Sequence, residues 1–259
     1  MPDKPPKPLA AIVADRSIWM HLGWRDLKSR YAQTKFGPWL SVANLFAVIF
    51  GSSVAVGLIS GRSTLDQAPR LAVCLCIWTL IASSLGEACD LFESDKTLLL
   101  NTVIHEISLT ARLIWRNFII GLHNCVVVVL VFIVSGHRIG YGLFLLPIVL
   151  AITSFTLILP VFLCAKMALM HRALKTIIPS IIQIAFFMTP ILWIPPSEGP
   201  MNWAVQVNPA AWIITLSFHL SVDNYVDNDF LIRVLILVSV SAFILHFIKQ
   251  SFFHVRKYV

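Results

Sequence analysis

Six apolar segments, each about 20 residues long, restrict what this chain can fold into. A bilayer core about 30 Å thick is crossed by a helix of that length, because a helix satisfies its own backbone hydrogen bonds. The sequence predicts spans over residues 38–60, 71–92, 113–135, 141–165, 176–194 and 230–248. We therefore expect an all-α integral membrane protein with a single transmembrane domain over residues 1–259.

The composition excludes an ordinary water-soluble fold. Hydrophobic residues make up 58% of the chain and charged residues 13%, whereas soluble domains are close to half apolar and a quarter charged. The basic residues behind the net charge of +7 are dispersed, so we expect no nucleic-acid partner. All the cysteines fall in apolar segments without zinc-site spacing, and we interpret them as packing residues with no metal site: Cys74, Cys76, Cys89, Cys125 and Cys164.

The distribution of basic residues predicts the orientation of the chain. Six spans place both termini on the same side of the membrane. If that side is the cytoplasm, 16 of the 20 Lys and Arg residues are cytoplasmic, and the exceptions are Arg62, Arg70, Arg138 and Arg233. Cytoplasmic loops carry an excess of Lys and Arg, so we predict that both termini are cytoplasmic.

A helix that lies on the membrane surface is predicted before the first span, over residues 16–34. Its apolar residues recur at helical spacing, and they are Met20, Trp24, Leu27 and Tyr31. Arg25, Lys28 and Arg30 lie off this stripe. The pattern is typical of an interfacial amphipathic helix, and the alternative is a plain basic anchor on the cytoplasmic side.

The segment between the fifth and sixth spans, residues 195–229, differs from both a span and a loop. Prolines interrupt it at Pro195, Pro196, Pro200 and Pro209, yet it carries apolar residues through Leu216. Proline breaks a continuous helix, and a solvated loop would be more polar. We therefore expect short re-entrant helices whose ends are shielded by protein or by a cavity.

Catalytic motifs are absent from the sequence. None of the 11 glycines is followed by lysine, which excludes a Walker A phosphate loop, so any ATP and Mg would be bound by another subunit. HExxH and GxSxG motifs are also absent. Asp227-Asn228-Asp229 has the D-x-D form of some glycosyltransferases, but the predicted topology places it outside, and we interpret it as an acidic loop. The chain is expected not to be an enzyme and to hold no cofactor.

Polar residues within the predicted spans are candidates for function or for helix packing. Glu87 and Asp90 share one helical face, and they either line a water-filled cavity, pair with a base such as Lys166, or lie in the wet interface. Two further pairs lie seven residues apart in the third span, Arg116-Asn117 and His123-Asn124. Hydrogen bonding between helices is favoured for them over contact with a substrate.

Three ordered motifs resemble those of ABC-2 type polysaccharide-export permeases, in particular the O-antigen branch. The first runs from Trp24 to Tyr31, followed by Thr34 and Gly37-Pro38-Trp39. The second is Trp115-Arg116-Asn117 with His123-Asn124. The third runs from Phe187 to Trp193, followed by Trp203 and Asn208-Pro209.

The resemblance implies the inner-membrane, channel-forming subunit of an exporter used in lipopolysaccharide biosynthesis. The subunit would be a homodimer, surrounded by membrane lipids and bound to two copies of an ATPase that holds ATP and Mg. The cargo would be a glycan linked to polyprenyl pyrophosphate. Residues 1–37 would form the cytoplasmic N-terminus, 38–194 spans one to five, 195–229 an outer gate, and 230–259 span six and the tail.

The resemblance also implies roles for particular residues. The head group of the lipid-linked glycan would meet Trp24, Arg25, Lys28, Arg30 and Tyr31. The alternative is that the basic residues of this segment attract anionic membrane lipid, which explains them equally well. The loop that couples the chain to the ATPase would contain Glu93, Asp95, Lys96, Asn101, His105, Glu106 and Arg112. The outer gate would contain Trp193, Trp203, Asn208, Pro209 and Trp212.

The chain departs from these permeases at two places, and other functions remain open. No proline occurs between Phe92 and Arg112, where relatives often carry one. Phe218-His219 stands where relatives tend to carry an arginine. One alternative is an ABC-2 permease for teichoic acid, lipid or drug. The other is a membrane-bound transferase that acts on lipid-linked sugars.

Overall fold

The computed structural model describes residues 7–32, 37, 39–61, 63–102, 104–195, 198–247 and 255. Within these ranges the chain forms twelve α-helices: α1 (Pro8–Ala14), α2 (Arg16–Ala32), α3 (Trp39–Ser60), α4 (Thr64–Ala88), α5 (Leu91–Ser94), α6 (Lys96–Asn101), α7 (Glu106–Ser135), α8 (Tyr141–Met170), α9 (Leu174–Met188), α10 (Pro200–Val207), α11 (Pro209–Ser221) and α12 (Asn228–Phe247). We call the end of the bundle near α2, α5 and α6 the α2 end, and the opposite end the α11 end.

Five helices are long and apolar enough to cross a membrane: α3, α4, α7, α8 and α12. They correspond to predicted spans one to four and six. The predicted boundaries at Pro38 and residue 248, the end of the α2 prediction at residues 33–34, Pro196 and most of the C-terminal tail lie outside the described residues. The positions of the termini relative to the membrane stay a prediction.

The predicted fifth span, residues 176–194, contains a helix of only 15 residues, α9. At 1.5 Å per residue this helix is about 22 Å long, which is shorter than the bilayer core. It ends because Thr189, which precedes Pro190, takes an extended backbone conformation, as proline requires of the residue before it. To cross the membrane, this segment would have to include the irregular residues that follow α9, up to residue 195. The total of six spans therefore also stays a prediction.

Two spans begin earlier than hydropathy indicates. Helix α4 begins at Thr64 rather than at residue 71, because the Ser63 hydroxyl accepts a hydrogen bond from the Leu65 amide at 3.3 Å and caps the helix. Helix α7 begins at Glu106 rather than at residue 113. The additional turns carry polar residues, which a hydropathy average does not select.

Helix α4 forms the centre of the bundle and packs against α3, α7, α8 and α11. In its most apolar stretch 67% of the residues are buried, compared with 28% in α3 and 17% in α12. The outward faces of the two peripheral helices are apolar and include Leu58, Ile59, Phe243 and Phe247. Such faces suit contact with lipid.

Helix α2 lies against α7 through its smallest residue. A Cβ atom on Gly23 would lie 3.0 Å from Trp115 Cδ1 and 3.1 Å from the Arg112 carbonyl oxygen. The predicted helix is therefore present, and of its predicted apolar stripe Leu27 is buried against the protein, at 2% exposure, whereas Trp24 is 47% exposed. Contact of the stripe with the membrane surface stays a prediction.

Candidate functional site

A cavity of about 390 Å³, with both polar and apolar walls, lies between α3, α4 and α7 near the α2 end. The helical repeat aligns its lining residues, since side chains three or four positions apart share one face. The polar and aromatic lining residues are Arg30, Ser41, Asn44, Trp78, Thr79, Ser83, Glu87, Asn117 and Asn124. Most of these side chains carry hydroxyl or amide groups, so the cavity offers hydrogen bonds to a polar molecule.

Three of the predicted polar residues of α7 join it to neighbouring helices: Asn117, Asn124 and Arg116, which pairs with Glu87. Asn117 Nδ2 donates to Glu87 Oε2 at 3.0 Å and to Ser84 Oγ at 3.3 Å. Asn124 Oδ1 accepts a hydrogen bond from Ser41 Oγ at 3.2 Å. His123 instead bonds to the Ile119 carbonyl oxygen of its own helix at 2.7 Å. The helix-packing interpretation accounts for Asn117 and Asn124, and both also line the cavity.

Glu87 is the carboxylate at the α2 end of the cavity. Arg30 Nη1 donates to Glu87 Oε1 at 2.9 Å, and Arg116 Nη2 donates to Glu87 Oε2. Asp90 accepts from Lys175 Nζ at 2.7 Å. The sequence left open whether these residues line a cavity or form ion pairs, and Glu87 does both. Asp90 pairs with Lys175 rather than with the suggested Lys166.

The predicted coupling loop contains two short helices, α5 and α6, and Asp95 at their junction forms an ion pair with Arg112. Arg112 lies in α7, where its Nε donates to Asp26 Oδ2 at 2.5 Å and its Nη1 donates to both Asp95 oxygens at 3.0 Å. These bonds join α2, the α5–α6 junction and α7. Burial raises the pKa of Asp95 above its ordinary value, although Arg112 acts in the opposite direction.

Asp15, between α1 and α2, is a second anchor for the start of α7. Its Oδ2 accepts hydrogen bonds from the His105 amide at 3.0 Å and from Ser108 Oγ at 2.8 Å, and it lies 2.8 Å from His105 Nδ1. Burial would raise the pKa of Asp15, but these hydrogen bonds hold it below its ordinary value. The carboxylate thereby replaces a helix cap that the His105 side chain does not supply.

The remaining residues of the predicted coupling loop divide into two groups. Glu93 is exposed and pairs with Lys175, which lowers the Glu93 pKa, and Glu106 is buried at 4% exposure. Lys96 and Asn101 are exposed on α6. Leu100 on the same helix is 54% exposed, while its neighbour Leu99 is fully buried and fixes the helix to the bundle.

The basic residues of α2 are also divided. Arg30 is held by Glu87, whereas Arg25 and Lys28 are exposed. The Lys28 ammonium lies 5.9 Å from the centre of the Trp24 ring. Tyr31 is partly buried, and its ring centre lies 6.3 Å from that of His123. The structure therefore brings Arg30 to the cavity, packs Tyr31 against α7, and leaves Trp24, Arg25 and Lys28 on the surface.

The predicted gate motif Asn208-Pro209 has a local structural role at the α11 end. Asn208 Oδ1 accepts a hydrogen bond from the Ala210 amide at 3.0 Å and caps α11, and Pro209 occupies the first turn. Asn208 Nδ2 donates to Thr189 Oγ1 at 2.9 Å. The motif therefore ties the start of α11 to the end of α9.

The three predicted gate tryptophans lie in different environments. Trp212 Nε1 donates to the Gln206 carbonyl oxygen at 3.0 Å and closes the α10–α11 corner. Trp193 Nε1 donates to the Phe187 carbonyl oxygen at 2.9 Å. Trp203 is 74% exposed. A cavity of about 370 Å³ lies beside this region, and it contains Arg70, which the sequence marked only as one of four outer basic residues.

In a comparison with models of protein families, the model described as "ABC-2 type transporter" matches residues 18–219. This range includes nearly all of α2, helices α3 to α10, and nearly all of α11. A search of curated proteins found no match to the chain.

Proposed function

Because the chain belongs to the ABC-2 type transporter family, we propose that it forms the channel of an ATP-driven exporter for a polyprenyl-pyrophosphate-linked polysaccharide. Family membership and its apolar helices make it a multi-pass membrane protein and a transporter subunit that works with an ATPase subunit. The proposal adds the O-antigen-like cargo, a homodimer, two ATPase copies that bind ATP and Mg, and location in the cytoplasmic membrane.

The polar groups in the cavity between α3, α4 and α7 are the observation that carries the choice of cargo. The hydroxyl and amide side chains of the cavity, together with Trp78, match the hydroxyl groups and apolar ring faces of a sugar. The cavity also has apolar walls, which include Leu45 and Leu80, but an apolar drug or lipid would desolvate the polar groups without replacing their hydrogen bonds, which is costly. This observation favours glycan over drug within the same family.

The cavity has a basic entrance in this proposal. Arg30 lines the cavity, and Arg25 and Lys28 are exposed on the same helix. A pyrophosphate head group that approaches along α2 would meet these three cations. Charge reversal of Arg25 and Lys28 tests this role: we expect export to fail while membrane insertion is unchanged, and export that persists would contradict it.

Substitution of Asn44 by leucine tests the cavity itself. Asn44 is exposed toward the cavity, so the larger apolar side chain replaces a hydrogen-bonding group without disturbing the packed core. We expect glycan at the cell surface to fall by about tenfold, the effect of one lost hydrogen bond at the channel wall. The matched control is Ser239→Leu, an exposed polar-to-leucine change on α12.

Co-purification in detergent tests the assembly and separates the alternatives. We expect a complex of two copies of this chain with two copies of an ATPase subunit, with ATP hydrolysis by that complex. Turnover of a lipid-linked sugar by the chain alone would support the transferase alternative, and Asp227 and Asp229 would then be the candidate metal-binding residues. Export of a teichoic acid, lipid or drug by the same complex would contradict the proposed cargo but support the proposed role as an exporter subunit.

A further inference from the structure

Arg70 is a buried cation that lacks a carboxylate partner among the described residues. It lies in α4 near the α11 end, and only 7% of it is exposed. Its Nη2 donates to the carbonyl oxygens of Pro190, at 3.1 Å, and of Trp193, and the guanidinium lies 5.7 Å from the Phe218 ring centre. Among all the acidic side chains of the sequence, Asp3 alone lies outside the described residues.

Two carbonyl groups do not satisfy this guanidinium. Arginine has five N–H donors, and in the described part of the chain both of its hydrogen bonds come from Nη2. A buried charge without a counter-ion is costly. The chain therefore retains a positive charge that needs an anion from elsewhere.

The cavity beside Arg70 offers room for such an anion. It measures about 370 Å³ and is also lined by Asn202, Gln206, Thr215 and His219. Thr215 is 6% exposed, and its Oγ1 has no hydrogen-bond partner among the described residues. A buried, unpartnered hydroxyl is rare in proteins, and here it lies in the wall of the same cavity as the unpaired cation.

One carboxylate lies near the rim of the cavity. Asp227 Oδ2 is 3.2 Å from His219 Nδ1, but Asp227 does not line the cavity or pair with Arg70. Of the described residues that line the cavity, Arg70 is the only Lys, Arg, Asp or Glu.

We infer that the cavity between α4, the α9–α10 connection and α11 is a binding site for an oxyanion, in which Arg70 supplies the charge and Thr215 a hydroxyl donor. A phosphate or carboxylate group fits this donor set, because a guanidinium binds both through paired N–H groups. The group belongs either to the exported molecule or to a membrane phospholipid. The site does not depend on the identity of the cargo.

Thermal unfolding of the purified chain in detergent tests the site, with inorganic phosphate titrated against chloride at constant ionic strength. We expect phosphate to raise the unfolding temperature in a saturable manner. Arg70→Gln should abolish the response. Arg138→Gln, which removes an exposed arginine from the short connection between α7 and α8, is the matched control and should leave the response unchanged.

Thr215→Val keeps the test decisive if Arg70→Gln does not fold. The substitution removes a hydroxyl that bonds to nothing in the described chain, so it should not destabilise the protein. It should raise the half-saturating phosphate concentration by about tenfold, the effect of one lost hydrogen bond to a charged group. A response equal to that of the unaltered protein would overturn the site.

Native mass spectrometry distinguishes the two sources of the anion. Phospholipid that is retained by the unaltered protein and by Arg138→Gln, but lost from Thr215→Val, would identify a membrane lipid. A phosphate response without retained phospholipid would identify a group on the exported molecule. If the protein shows neither a phosphate response nor retained phospholipid that depends on Thr215, the inference is wrong. If the protein responds to phosphate but does not export the glycan, the proposed function would be contradicted and the oxyanion site would not.

Discussion

Glu87 shows how one side chain joins several helices at the α2 end of the bundle. It accepts hydrogen bonds from Arg30 of α2 and from Arg116 and Asn117 of α7. Its side chain is 30% exposed, so water weakens these bonds only partly. The sequence predicted that Glu87 and Asp90 share one face of the second span, but α4 ends at Ala88, before Asp90. The identity of the Glu87 partners depends on how α2 packs, which periodicity does not specify.

Replacement of Glu87 by glutamine should therefore destabilise the protein. The amide keeps the shape of the side chain but removes the charge that Arg30 and Arg116 face. We expect a loss of about 2 kcal/mol in the free energy of unfolding, within the range for hydrogen bonds to charged groups, measured by denaturant unfolding in detergent. Glu93→Gln is the control, because its ion pair with Lys175 lies at the surface, where water screens the interaction. Equal effects would show that the Glu87 pairs are no stronger than surface pairs.

Asp15 gives the stability of the α1–α2 corner a dependence on pH. Its pKa is lowered in the folded protein, so its contribution is complete above the unfolded pKa of about 3.9. The contribution decreases as the pH falls from there through the folded pKa. We expect Asp15→Asn to be less stable than the unaltered protein at pH 6, and the difference between them to shrink below about pH 4. A difference that stays constant over this range would contradict the role of the carboxylate.

Among the elements, α11 makes a close backbone contact with the start of α8. A Cβ atom on Gly142, in the first turn of α8, would lie 1.6 Å from the Leu220 carbonyl oxygen. Tyr141 Oη also donates to the Asn224 carbonyl oxygen at 3.0 Å. The end of α11 therefore lies directly on the backbone of α8, and a glycine is required at this contact.

Gly142→Ala should force α11 away from α8. Because the obstacle is a backbone oxygen, no side chain can rotate to relieve it, and we expect destabilisation at the upper end of the usual range of about 0.5–3 kcal/mol for single substitutions. The unfolding temperature in detergent measures the effect. Gly51→Ala is the control, since a Cβ atom there meets nothing within 4 Å. Similar unfolding temperatures for the two variants would show that α11 shifts without cost.

The elements that the sequence predicted best are those with long apolar runs. Hydropathy located α3, α4, α7, α8 and α12 because each exposes or buries a continuous apolar stretch. It did not predict that α9 ends at Met188, since the break comes from the local effect of Pro190 on Thr189. Of the candidate sites, Asn117 and Glu87 were found because charge and amide groups are rare in spans. Arg70 was missed because its burial depends on contacts with residues 120 and more positions away.

At the scale of the whole molecule, we propose the exposed side of α6 as the surface that binds the ATPase subunit. Leu99 holds α6 to the bundle, while Leu100 is 54% exposed beside Lys96 and Asn101. Protein interfaces commonly have an apolar core surrounded by a polar rim, and an exposed leucine flanked by polar residues fits this pattern on a small scale. The helix also lies next to Asp95, which Arg112 connects to α2 and α7.

Leu100→Asp should therefore prevent association with the ATPase subunit and leave the membrane domain folded. We expect loss of co-purification and of stimulated ATP hydrolysis, with an unchanged elution profile of the chain alone. Ile139→Asp, which alters a hydrophobic residue 47% exposed at the α11 end, is the control and should still co-purify. Retention of the ATPase by Leu100→Asp would place the interface elsewhere on the α2 end.

Helix α10 is anchored near its C-terminal end, which lets it act as a rigid arm. The Gln206 carbonyl oxygen, near the end of α10, accepts hydrogen bonds from Trp212 at 3.0 Å and from Arg233 at 3.4 Å. These two bonds are the point about which the arm would turn. The opposite end begins at Gly199, whose φ of 96° is a conformation that glycine adopts readily. Eight residues of helix give an arm of about 12 Å. A rotation of this arm would carry the exposed Trp203 through several ångströms while α11 stays in place.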